Sequence, residues 1–350
     1  MSESDLFKIT EIPGKGLGAV ALKDIPKRTL ILKESPQFVV HDTWDKFRNV
    51  NLFVFDLIPK LMSSFNDMAP DDQKEYLNLQ CDRKASDDTV DKICQGFTRS
   101  KEELEFKNQL KIYNIYMTNK FGSKGISGIK RTGLADTEIV CLKVSRFNHS
   151  CRSNAFFDID WNKKDLSMEI KASKDIKAGQ EITICYEGGD LSMRKFQTRQ
   201  GILKFNCICK VCKNGPAVDK ADFDEYDKIM QDQENLLRDY NLSRLDYQTI
   251  CMKSVDSQKK AYNLGRKNKA SPSLLYRRLS AGFLQAALGF RHFKTLEFKE
   301  NAVNFVVAAK KLQELFGFVA PETGEWQKRL DFDKWIKEKD SNKWLDQYYY

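Results

Sequence analysis

Apolar and polar positions change their period along the chain. Residues 6 to 40 show short apolar runs between turn residues. The stretch GKGLG is followed by Ala19-Val20-Ala21, a Lys-Asp-Ile-Pro turn and a strand at Thr29 to Leu32. Between 44 and 118, Phe47, Leu52, Phe55, Ile58, Leu61 and Met62 recur at three- and four-residue spacing and predict helices. Asp71-Asp72 and Ser86-Asp87-Asp88 mark loops or helix starts. From about 120 the β pattern returns, with Gly122, Gly125, Gly128 and Gly133 as turn residues and Ile139 to Val144 as a strand. Ala155, Phe156, Phe157 and Ile159 predict another strand. SMEIKASKDIKAGQEITICY reads as strand, turn and strand, with the turn at Lys177 to Gln180 and the second strand at Glu181 to Tyr186. Leu191 to Leu203 is helical, and beyond 220 nearly everything is. Ser271-Pro272 is a helix start, followed by Leu275, Leu279, Phe283, Ala286, Ala287 and Phe290, then by Phe305, Ala308, Ala309, Leu312 and Phe316. No exact repeat is present. These stripes predict a helical core.

One segment breaks the pattern. SRFNHSCRSNAFF places Asn148-His149-Ser150-Cys151 directly before an apolar strand. Such a polar knot is either a tight turn or the edge of a site.

Composition narrows the class. The chain has 350 residues with 41% hydrophobic and 11% aromatic content, enough for one large or two ordinary globular domains. The 58 basic and 49 acidic residues leave a net charge of +9, interleaved rather than gathered in a basic arm. This argues against nucleic acid as the primary ligand. MSESDLFKIT has no apolar signal core, and no run of about 20 apolar residues occurs, so neither export nor a membrane span is expected. Nine cysteines, an odd number, point to a reducing compartment, cytoplasmic or nuclear. Only three histidines, His41, His149 and His292, argue against a histidine-rich catalytic metal centre.

The thiols raise the metal question instead. FNCICKVC presents Cys207, Cys209 and Cys212 as C-x-C-x-x-C. Structural zinc takes four soft ligands, so one more must come from elsewhere. Cys151 is a candidate, as are Cys185, Cys141 and Cys251.

Four ordered pieces now carry a resemblance: GKGLGAVA at 14 to 21 with Asp24-Ile25, RFNHSCRSN at 146 to 154, DIKAGQEITICY at 175 to 186, and FNCICKVC at 205 to 212. In this order they resemble a SET-domain protein-lysine methyltransferase, over residues 1 to 40 and about 110 to 213. The arrangement is similar to the SMYD-like branch. The resemblance implies an α+β chain: a β-rich SET fold with a threaded, pseudoknot C-terminal segment, a helical insert, a cysteine-rich post-SET zinc segment and an all-α C-terminal domain. The implied boundaries are 1–41 and 119–205 for the SET domain, 42–118 for the insert, 206–214 for the post-SET segment and 215–350 for the helical domain. The insert holds only Cys81 and Cys94 and no histidine, so it departs from the branch in lacking a MYND zinc finger. Ser153 stands where the family usually has proline.

The resemblance implies transfer of a methyl group from S-adenosylmethionine to a lysine of a histone or non-histone protein. A lysine of reference pKa ~10.4 is less than ~0.1% neutral at pH 7, so a dry aromatic channel must favour the neutral amine. Tyr186 matches the tyrosine beside the transferring methyl, with an orienting and electrostatic role. Lys15, Gly16 and Leu17 match the cofactor-binding loop, Asn148 and His149 the cofactor-binding knot, and Asn119 a further asparagine of that pocket. Phe205 would cover the adenine or wall the lysine channel. Leu203 stands where related enzymes often have a channel tyrosine. Cys151 of the knot would complete a zinc site with Cys207, Cys209 and Cys212. The implied partners are a lysine-containing protein or peptide and a protein on the helical C-terminal domain. Two other readings fit the same residues: a catalytically silent SET-like binding module or scaffold, and a zinc-stabilised helical adaptor without cofactor.

Overall fold

The computed structural model describes residues 5–40, 50–81, 104–122, 137–159, 166–187, 191–203, 205–218, 220–241 and 247–270. The helices expected from Ser271 onward, the turns at Gly125, Gly128 and Gly133, the Ser86-Asp87-Asp88 stretch, Phe47, His41, His292 and Cys94 lie outside the described residues, as do the side chains of Leu52, Phe55 and Cys251.

Three small antiparallel sheets organise the β-rich part. Strands β1 (Phe7–Ile12) and β2 (Gly16–Ala21) form a hairpin in which Phe7 faces Ala21 and Ile12 faces Gly16. Gly14 and Gly16 close its turn at φ 74° and 70°, a region glycine enters without a Cβ penalty. Strands β3 (Leu30–Glu34) and β4 (Phe38–Val40) follow. The next elements are helices α1 (Val50–Asn66), α2 (Pro70–Leu77) and α3 (Leu104–Asn119), in agreement with the helical period of that segment. Pro70 and the acidic pair Asp71 and Asp72 occupy the first turn of α2, where a missing N–H costs nothing and negative charge is favoured. Strands β5 (Phe121–Gly122), β6 (Glu138–Val140), β7 (Ala155–Ile159), β8 (Met168–Ala172) and β9 (Glu181–Ile182) complete the sheets, in the orders β1-β2-β9, β3-β8-β7 and β4-β6-β5. Helix α4 (Phe196–Leu203) precedes the cysteines, and α5 (Ala221–Asn241) and α6 (Tyr247–Lys267) form a helical pair.

Three expected elements are shorter than their patterns, each because a side chain or a second strand captures the backbone. The strand predicted at Ile139 to Val144 ends at Val140. The backbone amides of Lys143 and Val144 donate instead to the Glu34 carboxylate at 2.9 and 2.8 Å, and Val144–Arg146 winds into a 3-10 turn. The strand predicted at Glu181 to Tyr186 keeps its ladder only through Ile182. Beyond that point Ile184 turns to the polar knot. The helix predicted from Leu191 begins at Phe196, because Asp227 of α5 accepts the Lys195 amide at 3.1 Å and the Thr198 hydroxyl at 2.7 Å.

Two apolar cores sit beside the site. One joins the first two sheets through Ala19, Ile31, Phe147, Ile170, Ile182 and Ile184. The other packs α1, α2 and α3 on the third sheet, around Phe38, Tyr76 and Tyr116. The Tyr76 hydroxyl donates to the Ile112 carbonyl at 2.8 Å, which satisfies a phenol buried in that core. Among the described residues, no helix is long and apolar enough to cross a membrane.

Candidate functional site

The polar knot and the segment after β9 lie side by side. Ile184 N–H donates to the Asn148 carbonyl at 3.1 Å, and Ser150 N–H donates to the Ile184 carbonyl at 2.9 Å. His149 and Ile184 form an isolated parallel bridge. Asn154 ties the other end. Its Nδ2 donates to the Glu181 carbonyl at 2.9 Å, and its Oδ1 accepts from the Thr183 amide at 2.8 Å and the Thr183 hydroxyl at 3.3 Å. The knot is therefore a turn fixed by backbone hydrogen bonds and by Asn154.

Asn148 reaches across to the hairpin. Its Nδ2 donates to the Leu17 carbonyl at 3.2 Å and to Glu181 Oε1 at 3.1 Å. The other Glu181 oxygen holds Lys15 Nζ at 2.6 Å. Lys15, Leu17, Asn148 and Glu181 thus form one connected polar group at the mouth of the hairpin. Glu181 was not among the residues singled out from the sequence. The clue was its position opposite Ile182 and Ile184 in an alternating strand, which aims it away from the core.

His149 is 5% exposed, and burial pushes its imidazole down to about 4. The ring is neutral at physiological pH. Nδ1 accepts the Tyr186 backbone amide at 3.2 Å, which leaves the ring proton on Nε2, 3.4 Å from Cys151 Sγ. Three rings converge here: His149 lies 5.2 Å from Tyr186 and 5.9 Å from Phe205, and Tyr186 lies 6.2 Å from Phe205. Tyr186 is 41% exposed and Phe205 is also exposed, so the two rings present an aromatic rim to solvent; Leu17 is exposed on the hairpin. Asn119 sits apart from this rim. Its Nδ2 donates to the Gln80 and Ile115 carbonyls, both at 2.8 Å, at the end of α3. Gln80 in turn lies next to Gly16, its Oε1 3.9 Å from where a Cβ would stand. Leu203 is buried in the cysteine-lined core.

Cys151, Cys207, Cys209 and Cys212 bring their sulfurs within 4.8 Å of one another. Cys151 Sγ lies 3.6 Å from that of Cys212 and 4.0 Å from that of Cys207. A tetrahedral ion with bonds of ~2.3 Å needs sulfurs about 3.8 Å apart, so the four thiols fit one metal ion. Of the other candidates, Cys185 is buried in the same core but lies outside the four, and Cys141 is buried in the sheet core. Hydrogen bonds among the four thiols lower Cys209 and Cys212 and raise Cys151 and Cys207, as expected of sulfurs packed together that share protons. Helix α4 cradles this loop with two consecutive side chains. Gln200 Oε1 accepts the Cys207 amide at 3.0 Å, and Arg199 Nε donates to Cys212 Sγ at 3.4 Å. Ile208, between two of the cysteines, reaches the hairpin turn. Its Cδ1 lies 3.1 Å from where a Gly14 Cβ would stand.

Comparison with known proteins gives this arrangement a class. Residues 16–187 match the family model of the SET domain. The matched segment is built here from mixed helices and small antiparallel sheets. A SET domain-containing protein of Acanthamoeba polyphaga mimivirus is 28% identical over 230 residues, which span 62% of this chain and 80% of that protein. Among solved structures, the SET domain of LSMT bound to lysine and AdoHcy is 13% identical, with 100% of this chain and 96% of that chain covered and a TM-score of 0.33. The same domain bound to methyl-lysine and AdoHcy is 14% identical, with 100% and 96% covered and a TM-score of 0.34.

Proposed function

We propose that this protein is a protein-lysine N-methyltransferase that uses S-adenosylmethionine, of SMYD-like organisation without a MYND finger. In this reading residues 1–41 and 119–205 are the SET domain with a threaded C-terminal segment. Residues 42–118 are a helical insert, 206–214 a zinc-bearing post-SET segment and 215–350 an all-α domain that offers a protein-binding surface. The observation that carries the reading is the convergence of Asn148, His149, Tyr186 and Phe205, from three separate parts of the sequence, beside the Lys15-to-Leu17 turn, in and next to the segment that matches the SET domain.

S-adenosylmethionine, when bound, supplies a methyl group activated by its sulfonium. Lys15, Gly16, Leu17, Asn148 and His149 form the polar wall suited to its amino-acid and adenine parts, with Asn119 behind the turn. Phe205 supplies an apolar face for the adenine or for the lysine stem. The exposed Tyr186 ring orients the incoming amine, and the surrounding rings exclude water, which favours the neutral amine. A phenol of reference pKa about 10 is a weak base at neutral pH, so Tyr186 acts by position and dipole. The four-cysteine site is read as zinc, which suits four thiolates in a closed tetrahedron. The odd number of cysteines accords with a reducing, cytoplasmic or nuclear setting.

The test is methyl transfer from radiolabelled S-adenosylmethionine to histones and to a cell-protein lysate, with Tyr186→Phe beside the wild type. Label on protein lysines that falls at least tenfold in the variant supports the reading. Cofactor binding without label on any protein would replace it with a silent SET-like binding module.

A further inference from the structure

Arg199 is the largest fully buried side chain of the described residues, at 0% exposure. Its Nε donates to Cys212 Sγ at 3.4 Å. One terminal nitrogen donates to the Arg194 carbonyl, the other to the Val211 carbonyl at 3.5 Å. The guanidinium carbon lies 5.8 Å from the centre of the Phe196 ring. Leu191, Leu203 and Cys185 enclose the same cysteine core, with Ile202 and Val211 packed against it.

Two expensive groups meet in this core. A guanidinium stripped of water needs a compensating charge or full hydrogen bonding. Four thiolates around one divalent cation carry an excess of negative charge, equally costly among apolar side chains. A donor fixed on one of those sulfurs offsets both costs.

We propose that Arg199 is the charge-compensating partner of the metal centre, acting through Cys212 to set how tightly the ion is held and how slowly it leaves. This rests on the metal reading of the four cysteines. Arg199 is a positioning residue, not a ligand, and its contribution comes from its charge as well as from its hydrogen bonds. Loss of such a partner typically costs 10–100-fold in metal affinity.

The experiment compares the full chain with Arg199→Gln, which keeps donors without charge, and Arg199→Lys, which keeps charge. Zinc affinity and release rate are read by competition with a chromophoric chelator, and folding by far-ultraviolet circular dichroism. The expected result is about 10–100-fold weaker binding and faster release in Arg199→Gln, with substantial recovery in Arg199→Lys. Zinc held by Arg199→Gln within about twofold of wild type would overturn the proposal. Equal losses in both variants would also overturn it, since charge would then be irrelevant. A wild-type chain that takes up no zinc would overturn the metal reading, and this proposal with it. Should Arg199→Gln fail to fold, cobalt-loaded wild type and Arg199→Lys are compared instead. A shifted sulfur-to-cobalt charge-transfer band supports the contact, and identical bands would refute it.

Discussion

The point where a Gly18 Cβ would stand lies 2.5 Å from Asn148 Nδ2 and 2.6 Å from Ile12 Cγ1. Any side chain at 18 must push Asn148 off the Leu17 carbonyl and away from Glu181. Gly18→Ala is therefore expected to destabilise the fold by about 1–3 kcal/mol through overpacking. It should also weaken S-adenosylhomocysteine binding by about tenfold, roughly one misplaced hydrogen-bonding group. Chemical denaturation and calorimetry read the two effects. Unchanged affinity in a folded Gly18→Ala would remove Asn148 from the proposed cofactor wall.

Asn154 makes three hydrogen bonds to residues 181 to 183, and none of them depends on a ligand. Asn154→Ala leaves the Thr183 amide and the Glu181 carbonyl without that partner. A loss of about 2–3 kcal/mol is expected in denaturant titrations. A loss below about 0.5 kcal/mol would mean that water replaces the side chain and that the clamp is not structural.

The cysteine site touches both sides of the candidate pocket. Cys151 is two residues from His149 and faces its Nε2, and Ile208 packs on the hairpin turn next to Lys15. Cys209→Ser should therefore lose metal and S-adenosylmethionine affinity together, as binding of a metal and ordering of its surroundings are linked. Elemental analysis gives the metal content and calorimetry the cofactor affinity. Wild-type cofactor affinity in a metal-free variant would break the coupling.

The C-terminus of α6 is closed by a Schellman turn. Ala270 N–H donates to the Gly265 carbonyl and Lys269 N–H to that of Arg266, with Lys269 at φ 56°. A non-glycine residue in that conformation costs about 1–2 kcal/mol, against about 0.5–1 kcal/mol of extra chain entropy for glycine. Lys269→Gly is expected to stabilise the helical pair by about 0.5–1 kcal/mol. A lower unfolding midpoint would show that the Lys269 side chain contributes more than its backbone costs.

The linear sequence determined what depends on neighbours in the chain. The β and helical periods identified most of the described elements, and C-x-C-x-x-C announced a cluster of thiols that could hold a metal because three of them lie within one short loop. The four ordered pieces also pointed to the SET domain that residues 16–187 match. Arg199 was not singled out from the sequence; its burial came only with the packing of α4 on the cysteine core.

Tertiary structure alone decided the rest. Cys151 was one of several possible fourth thiols until the fold brought it within 3.6 Å of Cys212, 61 residues away. Glu181 was only the first residue of a predicted strand until the hairpin delivered Lys15 to one of its oxygens and the knot delivered Asn148 to the other. The end of β6 at Val140 and the late start of α4 were set by Glu34 and Asp227, carboxylates distant in sequence that capture backbone amides. Periodicity records which face of a segment is apolar. It cannot record which distant side chain will satisfy a backbone group or a buried charge, because that is fixed only when separate elements pack together.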